Sequence, residues 1–464
     1  IRHCGARGSM IKSLLKKFIP SSMLSWYHRA LASLGALVYG FPSEKLIVIG
    51  VTGTNGKSTT AYFIAKILDH AGYQTGLTST AVFKIAGREW LNDKKMTMLG
   101  RFQSQRMLRD MVRAGCQYAV IETSSEGIAQ HRHRGINYDV AVFTNLTPEH
   151  LETHGGFEPY KQAKGELFAW LTMKKRKTFF CHSEADSSAE ESNPIQKTII
   201  VNADDEHAEY FLSFRADHKV MYTLRPANIV GEAGMGEIIA EEVKTTARGA
   251  LFTVFGTPFT LALPGKHNVY NALAAIATVN ALGVSLEQCA AGLKKITGVP
   301  GRMERIDEGQ PFTVIVDYAP EVASMERLYE TVRDIPHKRI IHVLGSCGGG
   351  RDRARRPVLG RLAGENADIV FVTNEDPYDD APMEIINEVA DGAAAAGKTD
   401  RENLFRMIDR EQAIEQAIAA AQPDDLVLIT GKGCEQAICV AGGKKIPWDD
   451  REVARRAINR IAGK

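Results

Sequence analysis

Lys57, Ser58 and Thr59 close a ten-residue stretch, VTGTNGKSTT (51–60), that follows the apolar run Leu46, Ile47, Val48, Ile49. A strand, a glycine-bearing turn and a helix come in the order in which backbone N–H groups and a helix N-terminus cradle phosphate. Gly53, Thr54, Asn55 and Gly56 form the turn. Lys57 adds a point charge, and the Ser58 hydroxyl can join a magnesium shell. A carboxylate suited to the same shell is Glu122, at the exit of the apolar run YAVIE (118–122). An unpaired carboxylate there is costly. Helix capping or a salt bridge is its alternative role.

These residues need elements to hold them. From Leu46 to about Leu171 strand and helix signals alternate, the pattern of a mostly parallel sheet. A helix is expected over Thr60–His70 and another over 103–114, with buried strands at 118–122 and 138–145. Short strands at 238–244 and 250–254 suggest a local antiparallel addition, and 265–282 reads as a loop feeding a helix. A boundary is expected near GVPGRMERI (298–306). New strand signals follow at 312–318, 339–345, 368–374 and 425–431, the pattern of a second open α/β unit. The expected division is a short helical segment (1–44), a central domain (45–299) and a carboxy-terminal domain (300–464).

The chain has 464 residues, with 57 basic and 55 acidic side chains. A net charge of +2 does not suggest a nucleic-acid partner. Seven scattered cysteines form no CxxC pair, which points to a reduced compartment without structural zinc. Met10 reads as a natural start. Residues 10–39 carry Lys12, Lys16, Lys17 and Trp26 among apolar positions at helical spacing. Packing on the next domain, peripheral contact with a membrane, and a dimer contact all fit that pattern. The apolar part is too short to span a bilayer.

TGTNGKST, IETSSEG (121–127), VAVFTNLTPEHLETHG (140–155), YKQAK (160–164) and GKHNVYNALAA (265–275) together resemble the central ATPase domain of the Mur ligase family. GRMERI (301–306), VDYAP (316–320), GGGRDRARRP (348–357) and ITGKGCE (429–435) resemble its carboxy-terminal domain. The similarity runs from about residue 45 to 440 and is nearest the MurE subgroup.

The resemblance implies a P-loop ATPase domain followed by a Rossmann-like domain. ATP and magnesium would serve an amide ligase that first phosphorylates a carboxylate and then admits an amine. It implies catalytic roles for Lys57, Glu122, His150 and Lys164. Ser58, Glu122, His150 and Lys164 would serve the metal, with Lys164 open to carbamylation. Asn268, Asn271, Arg302 and Asp317 would contact nucleotide, helix capping being the rival for the two asparagines. Substrate contacts would come from Ser124, Ser125, Arg351, Arg355, Glu375, Asp376, Tyr378 and Asp379.

Three departures from the pattern matter. The phosphate loop begins by residue 53, leaving no room ahead of it in this sequence for a domain that grips UDP. A lipid-linked or free peptidyl acceptor therefore competes with a UDP-linked one. The stretch Glu375, Asp376, Pro377, Tyr378 stands where diaminopimelate-adding relatives carry Asp-Asn-Pro-Arg, and tyrosine cannot replace a bidentate guanidinium. Glu126, Pro320 and Cys434 stand where histidine is common. The expected activity is addition of an amino acid to a muramoyl-peptide or related cell-wall precursor, in the cytoplasm or at the inner membrane face. An amidating or peptide-tailoring ligase and a non-catalytic nucleotide-binding regulator are the alternatives.

Overall fold

The computed structural model describes residues 21–149, 151–178, 194–225 and 235–463. His150 and the lysines at 12, 16 and 17 lie outside them.

Nine strands form the first sheet: β1 (Ile47–Thr52), β2 (Thr75–Thr78), β3 (Val82–Ile85), β4 (Arg88–Leu91), β5 (Tyr118–Glu122), β6 (Val140–Phe143), β7 (Thr198–Asn202), β8 (His218–Thr223) and β9 (Gly236–Ile239). Their spatial order is β4-β3-β2-β5-β1-β6-β7-β8-β9. β1 lies at the middle, parallel to both β5 and β6, while β3 and β4 turn back antiparallel at one edge. Because β1 is covered on both faces, it reads as a continuous apolar run. Ile49 and Val51 point into one core with Phe63 and Ile64; Val48 points into the other with Leu167 and Phe168.

The expected strand at 238–244 divides. Residues 236–239 extend the parallel sheet as β9, and the antiparallel addition begins at β10 (Glu241–Thr246), pairing with β11 (Gly249–Val254) and then β12 (Thr257–Leu261).

A second sheet contains β13 (Glu304–Ile306), β14 (Thr313–Asp317), β15 (Ile340–Leu344), β16 (Ile369–Thr373), β17 (Leu404–Met407) and β18 (Leu426–Thr430). Its order is β13-β14-β18-β15-β16-β17, parallel except for β13. The open, mostly parallel arrangement with helices on both faces is Rossmann-like.

Eight helices position the site and its surroundings: α1 (Ser21–Val38), α2 (Lys57–His70), α3 (Arg101–Arg113), α4 (Ser125–Ala129), α5 (Phe157–Thr172), α6 (Lys266–Asn280), α7 (Val322–Arg333) and α8 (Arg355–Asn366). α1 sets Ala32 and Ala36 inward, while Met23, Trp26, Tyr27, Leu34, Leu37 and Val38 are exposed. No helix of the described residues is long and apolar enough to cross a membrane.

Candidate functional site

The carboxyl ends of β1 and β5 and the strand ends of the second sheet face a shared cleft of about 780 Å³. Ligands of open α/β sheets bind at such strand ends.

The phosphate loop is built by close backbone approach. Gly53 has φ +148°, and a Cβ there would lie 1.9 Å from Thr144 Oγ1. Gly56 has φ +81°, and its Cβ would meet Asn271 Oδ1 at 2.1 Å. Only glycine satisfies both positions. The turn is braced from below: Thr54 N donates to Asn145 O at 2.8 Å, Asn55 N to Asn145 Oδ1 at 2.9 Å, and Thr144 Oγ1 to Asn55 O at 2.7 Å. Asn55 Nδ2 is buried without a partner on the cleft wall, a donor waiting for an acceptor. α2 starts at Lys57, three residues before the expected Thr60, so the first-turn N–H groups open directly onto the loop. Lys57 folds back, donating to Thr54 O at 2.6 Å, and Thr59 is buried beside it.

Beside the loop, Ser58 Oγ donates to Glu122 Oε2 at 2.8 Å. Thr80 approaches the same carboxylate twice, through its N–H at 2.6 Å and its hydroxyl at 3.0 Å. Both Ser58 and Glu122 are buried. This all-oxygen set has the chemistry of a hard-cation site. Among the described residues no three His, Cys, Asp or Glu side chains converge, so the set depends on hydroxyls. Lys164 comes from α5, 1% exposed, and donates to Gly53 O at 2.7 Å while lying over the Tyr160 ring. Burial, and then the neighbouring Lys57, push its pKa well below that of an ordinary lysine. Tyr160, one turn earlier, meets Thr54 Oγ1 at 3.0 Å.

The other wall comes from α6 and the second sheet. Asn268 and Asn271 sit inside the first turns of α6 rather than capping it; the cap is Gly265, with no side-chain bond. Asn271 Nδ2 donates to Asn268 Oδ1 at 3.1 Å, which aims the Asn271 carbonyl back at the loop. Arg302 lies over the Tyr318 ring and reaches Ser58 Oγ at 3.3 Å. Asp317 accepts from Met303 N at 2.6 Å and Ala319 N at 2.9 Å. Burial lifts its pKa above the ordinary value despite Arg302 and those two N–H donors. It therefore shapes the strand exit that carries Arg302.

The arginine run divides. Arg351 and Arg355 line the cleft, Arg355 paired with Glu321. Arg353 and Arg356 turn to Glu388.

The acidic stretch divides too. Glu375 is buried on the cleft wall and accepts from Cys347 Sγ at 2.8 Å; burial lifts its pKa. Asp376 is committed elsewhere. Lys432 reaches both its oxygens at 3.0 Å, and Lys95 of the first sheet's unit binds it from the opposite side. Burial works against the Asp376 charge, but the two lysines outweigh it and hold its pKa low. Tyr378 lines the cleft with a left-handed backbone, φ 52°. That turn carries the exposed Asp379 away from the cleft, where it accepts from Gly442 N at 2.8 Å. Ser124 and Ser125 line the cleft, but Ser124 also caps α4 and Ser125 lies 3.1 Å from His154 Nε2.

Sequence reasoning missed Thr80, Tyr160 and Lys95. Tyr160 had a signal, its spacing of four before Lys164 on one helix face. The others are brought in by tertiary contact.

Two family models match: the Mur ligase middle domain over residues 51–279 and the Mur ligase glutamate ligase domain over 301–433. A UDP-N-acetylmuramyl-tripeptide synthetase of Roseiflexus sp. (strain RS-1) is 41% identical over 438 residues, covering 92% of this chain and 82% of that protein. A UDP-N-acetylmuramoyl-L-alanyl-D-glutamate–2,6-diaminopimelate ligase of Geobacillus kaustophilus (strain HTA426) is 38% identical, covering 98% and 87%. A solved structure of a UDP-N-acetylmuramoyl-L-alanyl-D-glutamate–2,6-diaminopimelate ligase superposes with a TM-score of 0.57 at 27% identity, covering 90% of this chain and 79% of that one. A folylpolyglutamate synthase of Mycobacterium tuberculosis shares the fold, with a TM-score of 0.64 at 17% identity, covering 94% and 95%. With the phosphate loop, its oxygen-rich neighbour and the facing arginines gathered in one cleft, the chain belongs to the Mur ligase family of ATP- and magnesium-dependent acid–amino-acid ligases.

Proposed function

We propose that this ligase joins an amino acid to the terminal carboxylate of a muramoyl-peptide acceptor through an acyl phosphate. The observation that carries the reading is the cleft itself, where Lys57, Glu122 and Lys164 face Arg302, Arg351 and Arg355. A carboxylate must approach a more negative triphosphate. Lys57 and the loop N–H groups offset that repulsion and stabilise charge on the transferring group. Arg351 and Arg355 suit the acceptor carboxylate, since guanidinium forks match its geometry. Closure of the two units over the cleft keeps water from the acyl phosphate until the amine attacks.

The residues present fit magnesium. Ser58, Glu122 and His150 would hold it, and the ion would screen phosphate charge and act as a Lewis acid. Lys164 would assist as a carbamate: a buried lysine with a depressed pKa keeps the neutral amine that adds carbon dioxide and sheds a proton. That converts a cation beside the loop into an oxygen-bearing anion.

The donor reads as an amino acid with a cationic side chain, such as lysine. Glu375 is the cleft carboxylate left for it, and Tyr378 cannot fork onto the second carboxylate of diaminopimelate. The acceptor reads as lipid-linked, used at the inner face of the membrane. The outward stripe of α1 carries Trp26 and Tyr27 among aliphatic side chains, and residues 1–43 hold Arg2, Arg7, Lys12, Lys16, Lys17 and Arg29 with no Asp or Glu. An aromatic and aliphatic face in a sequence segment rich in basic residues suits an anionic lipid interface.

The test is acceptor-dependent ADP release with product mass. UDP-linked and lipid-linked muramoyl-dipeptides would be compared across an amino-acid panel. An amide product establishes the reaction. Turnover confined to the UDP-linked acceptor refutes the lipid carrier, and failure with every acceptor refutes the ligase reading.

A further inference from the structure

Buried donors without partners gather at a second place, where α1 meets the turn 130–135 and the start of α3. Ser25 Oγ lies 2.8 Å from His131 Nε2, and Ala32 packs on Gly135, where a Cβ would come within 2.7 Å of Ala32 O. Arg29, one turn beyond Ser25 and exposed, acts electrostatically on His131 and Arg134. His131 is 8% exposed and its Nδ1 has no partner. With Ser25 donating to Nε2, Nδ1 carries a proton to offer. The Nε atoms of Arg101 and Arg134 are likewise buried and unpartnered. The Arg134 guanidinium lies over the Trp170 ring, 4.9 Å from its centroid.

Among the described residues no ion pair within 4.0 Å is found for Arg29, Arg101, Arg132 or Arg134, and the acids act on them only across space. Glu126 and Glu166 are the acids nearest Arg132 and Arg134. Burial, and then Arg132 in one case and Arg29 in the other, lower the pKa of Arg101 and Arg134. Two acids against four guanidiniums leave an excess of like charge, which is costly to concentrate unless a further anion completes the set. Arg132 connects this cluster to the cleft: it lines the cleft, and its guanidinium is fixed by Met98 O at 2.5 Å and Gln130 Oε1 at 2.7 Å.

We propose that Arg29, Arg101, Arg134 and His131 form a second anion site, which holds the diphosphate of the acceptor's carrier while its peptide reaches the cleft past Arg132. This rests on the reading of the acceptor as carrier-linked. A diphosphate diester brings two negative charges and several acceptor oxygens, which paired guanidinium forks and an imidazole N–H match. Uridine and polyprenyl carriers both present that group.

The experiment titrates inorganic pyrophosphate into the full chain held with saturating ADP and magnesium, so that the phosphate loop is filled. Calorimetry and tryptophan fluorescence, which Trp170 beneath Arg134 should report, give the affinity. Arg29→Gln and Arg134→Gln should each weaken binding at least tenfold, and added salt should weaken it further. In turnover the same variants should raise KM for the acceptor, leaving kcat and KM for ATP unchanged. Absence of pyrophosphate binding, or equal binding by both variants, overturns the site. Competition by UDP or by polyprenyl diphosphate in micelles identifies the carrier, and competition by neither overturns the carrier assignment. Pyrophosphate binding is read without turnover, so a failed ligase assay and a failed anion site remain distinguishable.

Discussion

Lys164 donates to the main-chain oxygen of Gly53 across 2.7 Å, tying α5 to the first residue of the phosphate loop. An unmodified lysine there is a buried amine whose charging is opposed by burial and by Lys57, whereas a carbamate is an anion. Lys164→Ala should therefore lose at least about 100-fold in ADP release, the scale of one lost electrostatic contact in a water-excluded site. Lys164→Arg should be equally inactive, because it restores only charge. Removing carbon dioxide from the buffer should slow the native enzyme, and bicarbonate should restore it. An active Lys164→Arg enzyme would instead make this residue a simple cation.

Glu122 serves Ser58 and Thr80 at once. Glu122→Gln keeps the shape but withdraws the negative charge. The magnesium concentration for half-maximal activity should rise about 10–100-fold. ADP affinity measured without magnesium should change little, since the loop N–H groups are untouched. Magnesium titrations of ADP release and of ADP binding would check both.

Lys95 joins the two units by pairing with Asp376, with side chains 6% and 5% exposed. Asp376 keeps Lys432 when Lys95 is removed, so the cost stays below about 3–5 kcal/mol, that of stranding a buried charge, and falls on the contact between the units. Lys95→Met should thus shift the molecule toward an open form, seen as a larger radius of gyration in X-ray scattering. Lys95→Arg should restore most of the closure.

His342 bonds Tyr329 through Nδ1 at 2.6 Å and Thr430 through Nε2 at 2.9 Å. Burial, with Arg410 adding to it, lowers its pKa from 6.5 to about 3. Between those values the unfolded chain binds the proton and the native chain does not, so stability falls as pH drops below 6.5. The loss should be about 2 kcal/mol at pH 5 for this group. His131 and His267, with pKa values lowered to about 4 mainly by burial, act in the same direction. Denaturant unfolding from pH 7.5 to 5 should show the decline, with a shallower slope in His342→Gln.

How much of the molecule is legible in its sequence depends on how local each signal is. The phosphate loop lies within one strand, one turn and one helix, so a short stretch of residues encodes it. The central strands of both sheets are buried on two faces and read as apolar runs. β17 and the β2–β4 meander escape sequence reasoning, being short or half exposed. α6 begins at Lys266, earlier than a loop feeding a helix would place it, so its asparagines lie inside the helix and do not cap it. Asp376 and Asp379 stand three apart in sequence, yet one is gripped by two lysines and the other faces out. The positive φ of Tyr378 separates them, and nothing in the composition of that stretch announces it. Lys95 and Asp376 are separated by 281 positions, beyond any periodicity.

The contact from Arg302 to Ser58 Oγ has a consequence for the order of events in a catalytic cycle. Arg302 stands in the short connection between the two sheets, while Ser58 stands in the loop that takes nucleotide. A rotation that separates the units must withdraw the guanidinium from that hydroxyl at the same moment. Opening of the cleft and uncovering of the nucleotide loop are then one mechanical event rather than two.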